Sequence, residues 1–121
     1  MLKLYAYYGC STCKNAIKWL KAHAIAFEEI AIRETPPSLA ELKAMLAAHN
    51  GDLRRLFNVS GQDYRNLGLK DKLPAMSADA ALKLLSENGN LVKRPFAIDA
   101  KNKIQLVGFK EDEWQAALAK R

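Results

Sequence analysis

The sequence predicts an α/β domain with a four-stranded mixed sheet and a helical insertion, and three observations lead there. Residues 1–35 read as strand, helix, strand; residues 91–121 read as strand, strand, helix; the stretch between them carries only helical periodicity and turn signals. With 121 residues, 50% of them hydrophobic and 26% charged, the chain has the proportions of one globular domain. Such a chain buries enough surface to fold without a disulfide framework or a structural metal.

Taken in order, residues 2–8 bring Leu2, Leu4, Tyr5 and Tyr7 into a buried strand that stops at Gly9. A helix over 12–24 follows, because Ala16, Ile17, Trp19, Leu20 and Ala24 share one face and Lys14, Lys18 and Lys21 lie opposite. Residues 26–32 read as the second strand, closed by Pro36-Pro37. Ser38 with Glu41 three residues on is a capping-box spacing, and Leu39, Leu42, Met45 and Leu46 carry a helical stripe to a stop at Asn50-Gly51. Asp52 caps a short helix over 54–57, and a further helical turn is expected over 64–67. Ser77 opens a helix with Ala80, Ala81, Leu84 and Leu85 facing inward, ended by Asn88-Gly89-Asn90. Residues 91–99 lead into a third strand, 99–102 reverse it, and 103–107 return antiparallel. The last helix, over 111–120, places acids at its start and bases at its end, as the helix dipole favours. This order is that of a thioredoxin-like, or glutaredoxin-like, α/β core from residues 1–35 and 91–121, with residues 36–90 as a helical insertion.

Nineteen Lys and Arg against 13 Asp and Glu give a net charge of +6, but the cations are scattered. No direct, sequence-specific nucleic-acid role is therefore expected. No apolar run approaches the roughly 18 to 20 residues that cross a bilayer, and the zones of a signal peptide are missing. The expectation is a cytoplasmic protein with no membrane partner, and a monomer, since no apolar docking stripe stands out. Two cysteines in that compartment are normally reduced thiols. A lone Cys-x-x-Cys, with His23 and His49 in separate helices, lacks the ligand set of a zinc site, so no metal and no bound cofactor are expected.

Cys10-Ser11-Thr12-Cys13 lies between the first strand and the first helix, and this placement points to chemistry. Unpaired N–H groups and the positive dipole end of a helix stabilise a thiolate, which makes Cys10 the expected nucleophile. Cys13, one turn later, is placed to attack a sulfur attached to Cys10 and resolve it as an internal disulfide. Ser11 and Thr12 are candidates for hydroxyl bonds near the thiolate. Two small half-buried side chains without chemistry are the alternative reading. Lys93-Arg94-Pro95 forms a second constellation, in which Pro95, just before a strand, is a candidate cis peptide. In a thioredoxin-like fold that proline faces the cysteine motif, leaving Arg94 to neutralise Cys10 or hold an anionic group. Lys14 is a weaker candidate for the same task. Gln62-Asp63-Tyr64-Arg65 suits either a cap over the site or plain turn chemistry, and Trp19 and Trp114 belong to the core.

Four segments together resemble the ArsC/Spx family: Tyr7-Tyr8-Gly9-Cys10-Ser11-Thr12-Cys13, residues 58–68, Leu91-Val92-Lys93-Arg94-Pro95-Phe96 and residues 108–113. The resemblance implies the thioredoxin-like fold and two kinds of function. One is arsenate reduction coupled to glutathione and glutaredoxin, in which a cysteine attacks the oxyanion among three arginines. The other is a regulator that binds RNA polymerase, at the C-terminal domain of its α-subunit, through a Cys-x-x-Cys switch. Cys10 matches the attacking cysteine and Arg94 the arginine before the family proline. The other two arginine positions fall near Asn58 and at Gly108 or Phe109, with Arg55 and Arg65 nearby in sequence. Cys13 matches the switch of the regulators, and Gly51 resembles the glycine of their polymerase-contacting segment, while also fitting a helix C-cap. The chain ends within a few residues of its last helix, without the regulators' longer tail. The resemblance thus implies a thiol-dependent oxidoreductase with glutathione as co-substrate; the alternatives are the redox-switched regulator, a genuine arsenate reductase and a redox-inert relative.

Overall fold

In the computed structural model, which describes residues 1–119, the strand–helix–strand start is present with tighter ends than the sequence suggested. Strand β1 is Leu2–Ala6, helix α1 is Ser11–Ala22 and strand β2 is Phe27–Ala31. Strands β3 (Phe96–Asp99) and β4 (Ile104–Val107) complete a four-stranded sheet of order β2-β1-β3-β4. The sheet is mixed: β1 runs parallel to β2 and antiparallel to β3, and β3 and β4 form an antiparallel hairpin. Parallel β1 and β2 require a crossover, and α1 supplies it. Asp99 holds the hairpin turn, its carboxylate accepting from the backbone N–H of Asn102 at 3.2 Å and from Nδ2 of Asn102 at 2.7 Å.

The chain divides into two units, one of residues 1–31 with those from Arg94 onward, the other of residues 32–93. The sequence pattern alone sets these limits at 35/36 and 90/91. The difference has a local cause at each end. β2 stops at Ala31, and Ile32 is fully buried in the second unit. Residues 91–93, read as the approach to a strand, belong to the insertion instead: Val92 pairs antiparallel with Phe57, and the Lys93 N–H donates to the Leu56 carbonyl at 2.8 Å.

In the first unit the core joins Leu4 and Ala97 of the central strands, Leu106 of β4, and Ala16 and Leu20 of α1. The α1 lysines, Lys14, Lys18 and Lys21, are exposed. Trp19 and Trp114 are both buried, edge to face at 6.2 Å, and Phe109 packs edge-on to Trp114 at 5.0 Å. Trp114 Nε1 donates to the Gly108 carbonyl at 3.0 Å, so the indole satisfies its one polar atom while it fills the core. Trp114 ends helix α6 (Glu111–Trp114), after which the chain continues as a π-helical turn, Gln115–Ala119; the expected end of this helix at Lys120 lies outside the described residues.

The second unit holds α2 (Leu39–Ala48), α3 (Gln62–Asn66), α4 (Leu69–Lys72) and α5 (Ala78–Glu87), with short 3-10 turns between. Ser38 and Glu41 form the full capping box of α2, with bonds of 3.2 and 3.0 Å. The inward face of α5 is Ala81, Leu82 and Leu85; Ala80 is exposed and Leu84 only half-buried. Among the described residues no helix is long and apolar enough to cross a membrane.

Truncating Trp114 to Ala removes the centre of the aromatic cluster and is expected to destabilise the chain by about 3–5 kcal/mol. Trp114→Phe keeps a ring and loses the bond to Gly108, a smaller cost of about 1 kcal/mol. Urea unfolding of the two variants checks this, and equal, near-zero losses would contradict the packing described.

Candidate active site

β1 delivers the chain to a tight turn at Tyr7-Tyr8-Gly9, closed by the Cys10 N–H donating to the Tyr7 carbonyl at 3.0 Å. Cys10 is extended (φ −98°, ψ 116°) and stands at the N-cap of α1. Its Sγ accepts the backbone N–H of Cys13 at 3.3 Å. A sulfur thus stands where a side-chain oxygen commonly caps a helix, and an anion there meets the unpaired amides and the dipole. Ser11 and Thr12 are exposed in the first turn, while Cys13 points inward and is only 1% accessible.

Arg94 arrives from the other end of the chain. The Arg94–Pro95 peptide is cis, Pro95 is buried, and its carbonyl accepts the Gly108 N–H at 2.9 Å, tying the entry of β3 to the exit of β4. The Arg94 guanidinium lies over the Tyr7 ring, 5.0 Å from its centroid, and bonds to the Cys10 side chain. The structure therefore brings Cys10, Cys13 and Arg94 together, with Pro95 next in the chain to Arg94. Lys14 stays exposed on α1, and the cation that acts on Cys10 is Arg94. Tyr7 is the member that sequence reasoning does not single out as functional, although an aromatic residue closing a strand just before Gly-Cys is its available signal.

The two thiols are driven in opposite directions. Partial burial disfavours the Cys10 thiolate, but hydrogen bonds from the Cys13 side chain and backbone, with the charge and bond of Arg94, outweigh it and lower the Cys10 pKa below the ordinary 9.0. Burial pushes the Cys13 thiol up to about 12, reinforced by its hydrogen bond to Cys10 and the Cys10 charge, against a lowering backbone bond with Tyr7 and the positive charge of Arg94. The favoured state is one thiolate with one thiol donating to it.

Positions that the family resemblance assigns to further arginines hold other groups. Gly108 gives its N–H to Pro95 and its carbonyl to Trp114, and Phe109 packs on Trp19 and Trp114. In the second unit Asn58 closes a turn by accepting the Gly61 N–H at 3.0 Å. Arg65 donates to the Ser60 carbonyl at 2.9 Å and to Gln62 Oε1 at 3.0 Å, which fits the turn-chemistry reading of this segment. Gly51 is exposed after α2, and its N–H donates to the Leu46 carbonyl at 2.9 Å, the bond of a helix C-cap. Among the described residues no group of three or more His, Cys, Asp and Glu gathers to hold a metal ion.

A model of the ArsC family matches residues 5–117. The uncharacterised protein YusI of Bacillus subtilis (strain 168) is 46% identical over 114 residues, covering 94% of this chain and 95% of its own. The global transcriptional regulator Spx of Enterococcus faecalis is 36% identical over 114 residues, covering 93% of this chain and 83% of its own. The solved structure of a Streptococcus mutans UA159 protein, described as a possible arsenate reductase, superposes with a TM-score of 0.86 at 36% identity, covering 95% of this chain and 98% of that one.

A lowered pKa enlarges the thiolate fraction at neutral pH, so iodoacetamide should alkylate Cys10 with a pH midpoint below 9.0 and leave Cys13 unmodified until far more alkaline conditions. Arg94→Ala should move the Cys10 midpoint upward and slow alkylation at pH 7 by about three- to tenfold. Peptide mass spectrometry reads both sites, and faster labelling of Cys13 than of Cys10 would contradict the assignment.

Proposed function

Because the chain belongs to the ArsC family, we propose that it is a cytoplasmic thiol–disulfide oxidoreductase with Cys10 as nucleophile, Cys13 as resolving thiol and glutathione or a similar small thiol as co-substrate. The observation that carries this reading is the placement of the two cysteines, Cys10 at the helix N-cap accepting the Cys13 N–H and bonded to Arg94, and Cys13 buried one turn on.

The cycle follows from those positions. The Cys10 thiolate attacks a substrate disulfide R–S–S–R′, forming Cys10–S–S–R and expelling R′–S⁻. Cys13 Sγ then attacks Cys10 Sγ, its proton passes to the departing R–S⁻, and R–SH leaves. Two electrons have moved to the substrate, and the protein holds a Cys10–Cys13 disulfide. Two equivalents of external thiol, or a glutaredoxin acting as partner, return both cysteines to the reduced state. Forming the mixed disulfide removes the Cys10 charge, one of the causes that hold the Cys13 proton, so resolution becomes easier once it is needed.

A disulfide fits this site better than arsenate. A tetrahedral oxyanion carries charge on several oxygens and gains from a cage of donors. Arg94 is the one family arginine position filled by arginine; Gly108 and Phe109 are tied into the core. Similarity to Spx favours a second reading, in which the same cysteine pair switches a regulator without turnover, docked on the C-terminal domain of the RNA polymerase α-subunit.

A coupled assay with NADPH, glutathione reductase, glutathione and glutaredoxin separates these readings, with bis(2-hydroxyethyl) disulfide and arsenate as alternative substrates. The disulfide should be turned over, with activity falling by about a hundredfold or more in Cys10→Ser, and arsenate should not. Arsenate turnover lost in Arg94→Ala would make the protein an arsenate reductase. Absence of turnover with either substrate would favour the regulator.

A further inference from the structure

Three separate observations converge on Tyr7. The β1–β3 pairing ends with Tyr5 opposite Phe96, so Tyr7 lies two residues past the last paired residue of β1 and Arg94 two residues before the first paired residue of β3. The guanidinium lies on the Tyr7 ring, 5.0 Å from the centroid, a distance at which the ring's negative face attracts the cation. Glycine at residue 9 leaves room for the ring: a Cβ there would stand 2.6 Å from the Tyr7 ring, which would have to shift. The exposed Tyr8 flanks the same ring at 4.8 Å.

We infer that Tyr7 is a positioning residue for the reaction, its ring holding the Arg94 guanidinium against Cys10. An arginine side chain has several rotatable bonds and, half-buried, would otherwise sample solvent. The aromatic face gives it a fixed seat while leaving the edge of its planar fork free to meet the sulfur. The backbone of Tyr7 acts on the same centre, its carbonyl accepting the Cys10 N–H and its main chain bonding to Cys13, so the residue that follows strand β1 reaches Cys10, Cys13 and Arg94. Tyr7 has no need to touch the substrate, and its effect passes through Arg94. The inference rests on the oxidoreductase reading only in taking Cys10 as the reacting group.

The test is the pH dependence of Cys10 alkylation, a readout that requires no turnover and so stands or falls apart from the proposed activity. Tyr7→Phe keeps the ring and should stay closer to the wild-type profile than Tyr7→Leu. Tyr7→Leu should move the midpoint upward and slow alkylation below it by about three- to tenfold. Gly9→Ala, which crowds the ring without changing Tyr7, should shift the profile in the same direction and serves if Tyr7→Leu folds poorly by circular dichroism. Because the effect runs through Arg94, Tyr7→Leu combined with Arg94→Ala should match Arg94→Ala alone. A wild-type profile in both Tyr7→Leu and Gly9→Ala, or a double variant displaced by the sum of its parts, would overturn the assignment.

Discussion

A thiol sulfur stands at the N-cap of α1 and accepts the Cys13 N–H, and the different fates of the two cysteines follow from that bond. The cap position faces the free amides of the first turn, so negative charge on Cys10 is favoured there. One turn later the helix has rotated inward: Cys13 joins Ala16 and Leu20 on the face packed against the sheet. The same helical register that offers Cys10 an ionised state denies it to Cys13. Moving the helix by one residue relative to the strand would lose both effects, which is why the tight turn from Tyr7 to Cys10 matters as much as the sulfur atoms themselves.

The second half of the site comes from sequence about 85 residues away, and ordinary sheet pairing brings it in. β1 and β3 are adjacent central strands with mostly buried side chains, so a slip in register would turn apolar side chains to the wrong face. Core packing therefore fixes which residue lies beside the cysteine loop. The Pro95–Gly108 bond and the Trp114–Gly108 bond extend this support to the end of β4, where the family resemblance places another arginine. Aromatic packing there strengthens the frame, and the cation that bonds to Cys10 is Arg94.

Much of this was legible in the sequence wherever local chemistry decides structure. The strand–Cys-x-x-Cys–helix order, the Ser38/Glu41 capping box and the hairpin turn at Asp99 rest on neighbours within a few residues, and the burial of the two tryptophans follows the helical periodicity around each. Residues 91–93 misled because their apolar character fits a strand approach equally well, and their actual partners, Leu56 and Phe57, are not visible from local pattern. The inward face of α5 turned out to include Leu82 rather than Ala80, since small and large apolar residues surround the whole helix start. Tyr7 could be read as strand but not as a seat for Arg94, because that contact exists only once β3 lies beside β1.

The central claim is that Cys10 and Cys13 form one redox unit rather than two independent thiols. Exposing the reduced protein to oxidised glutathione and mapping its peptides after acid quenching tests it most directly. The account predicts a Cys10–Cys13 disulfide within one chain, reached through a transient glutathione adduct on Cys10. A stable adduct on Cys10 with Cys13 still a free thiol, or two unreacted cysteines, would contradict it.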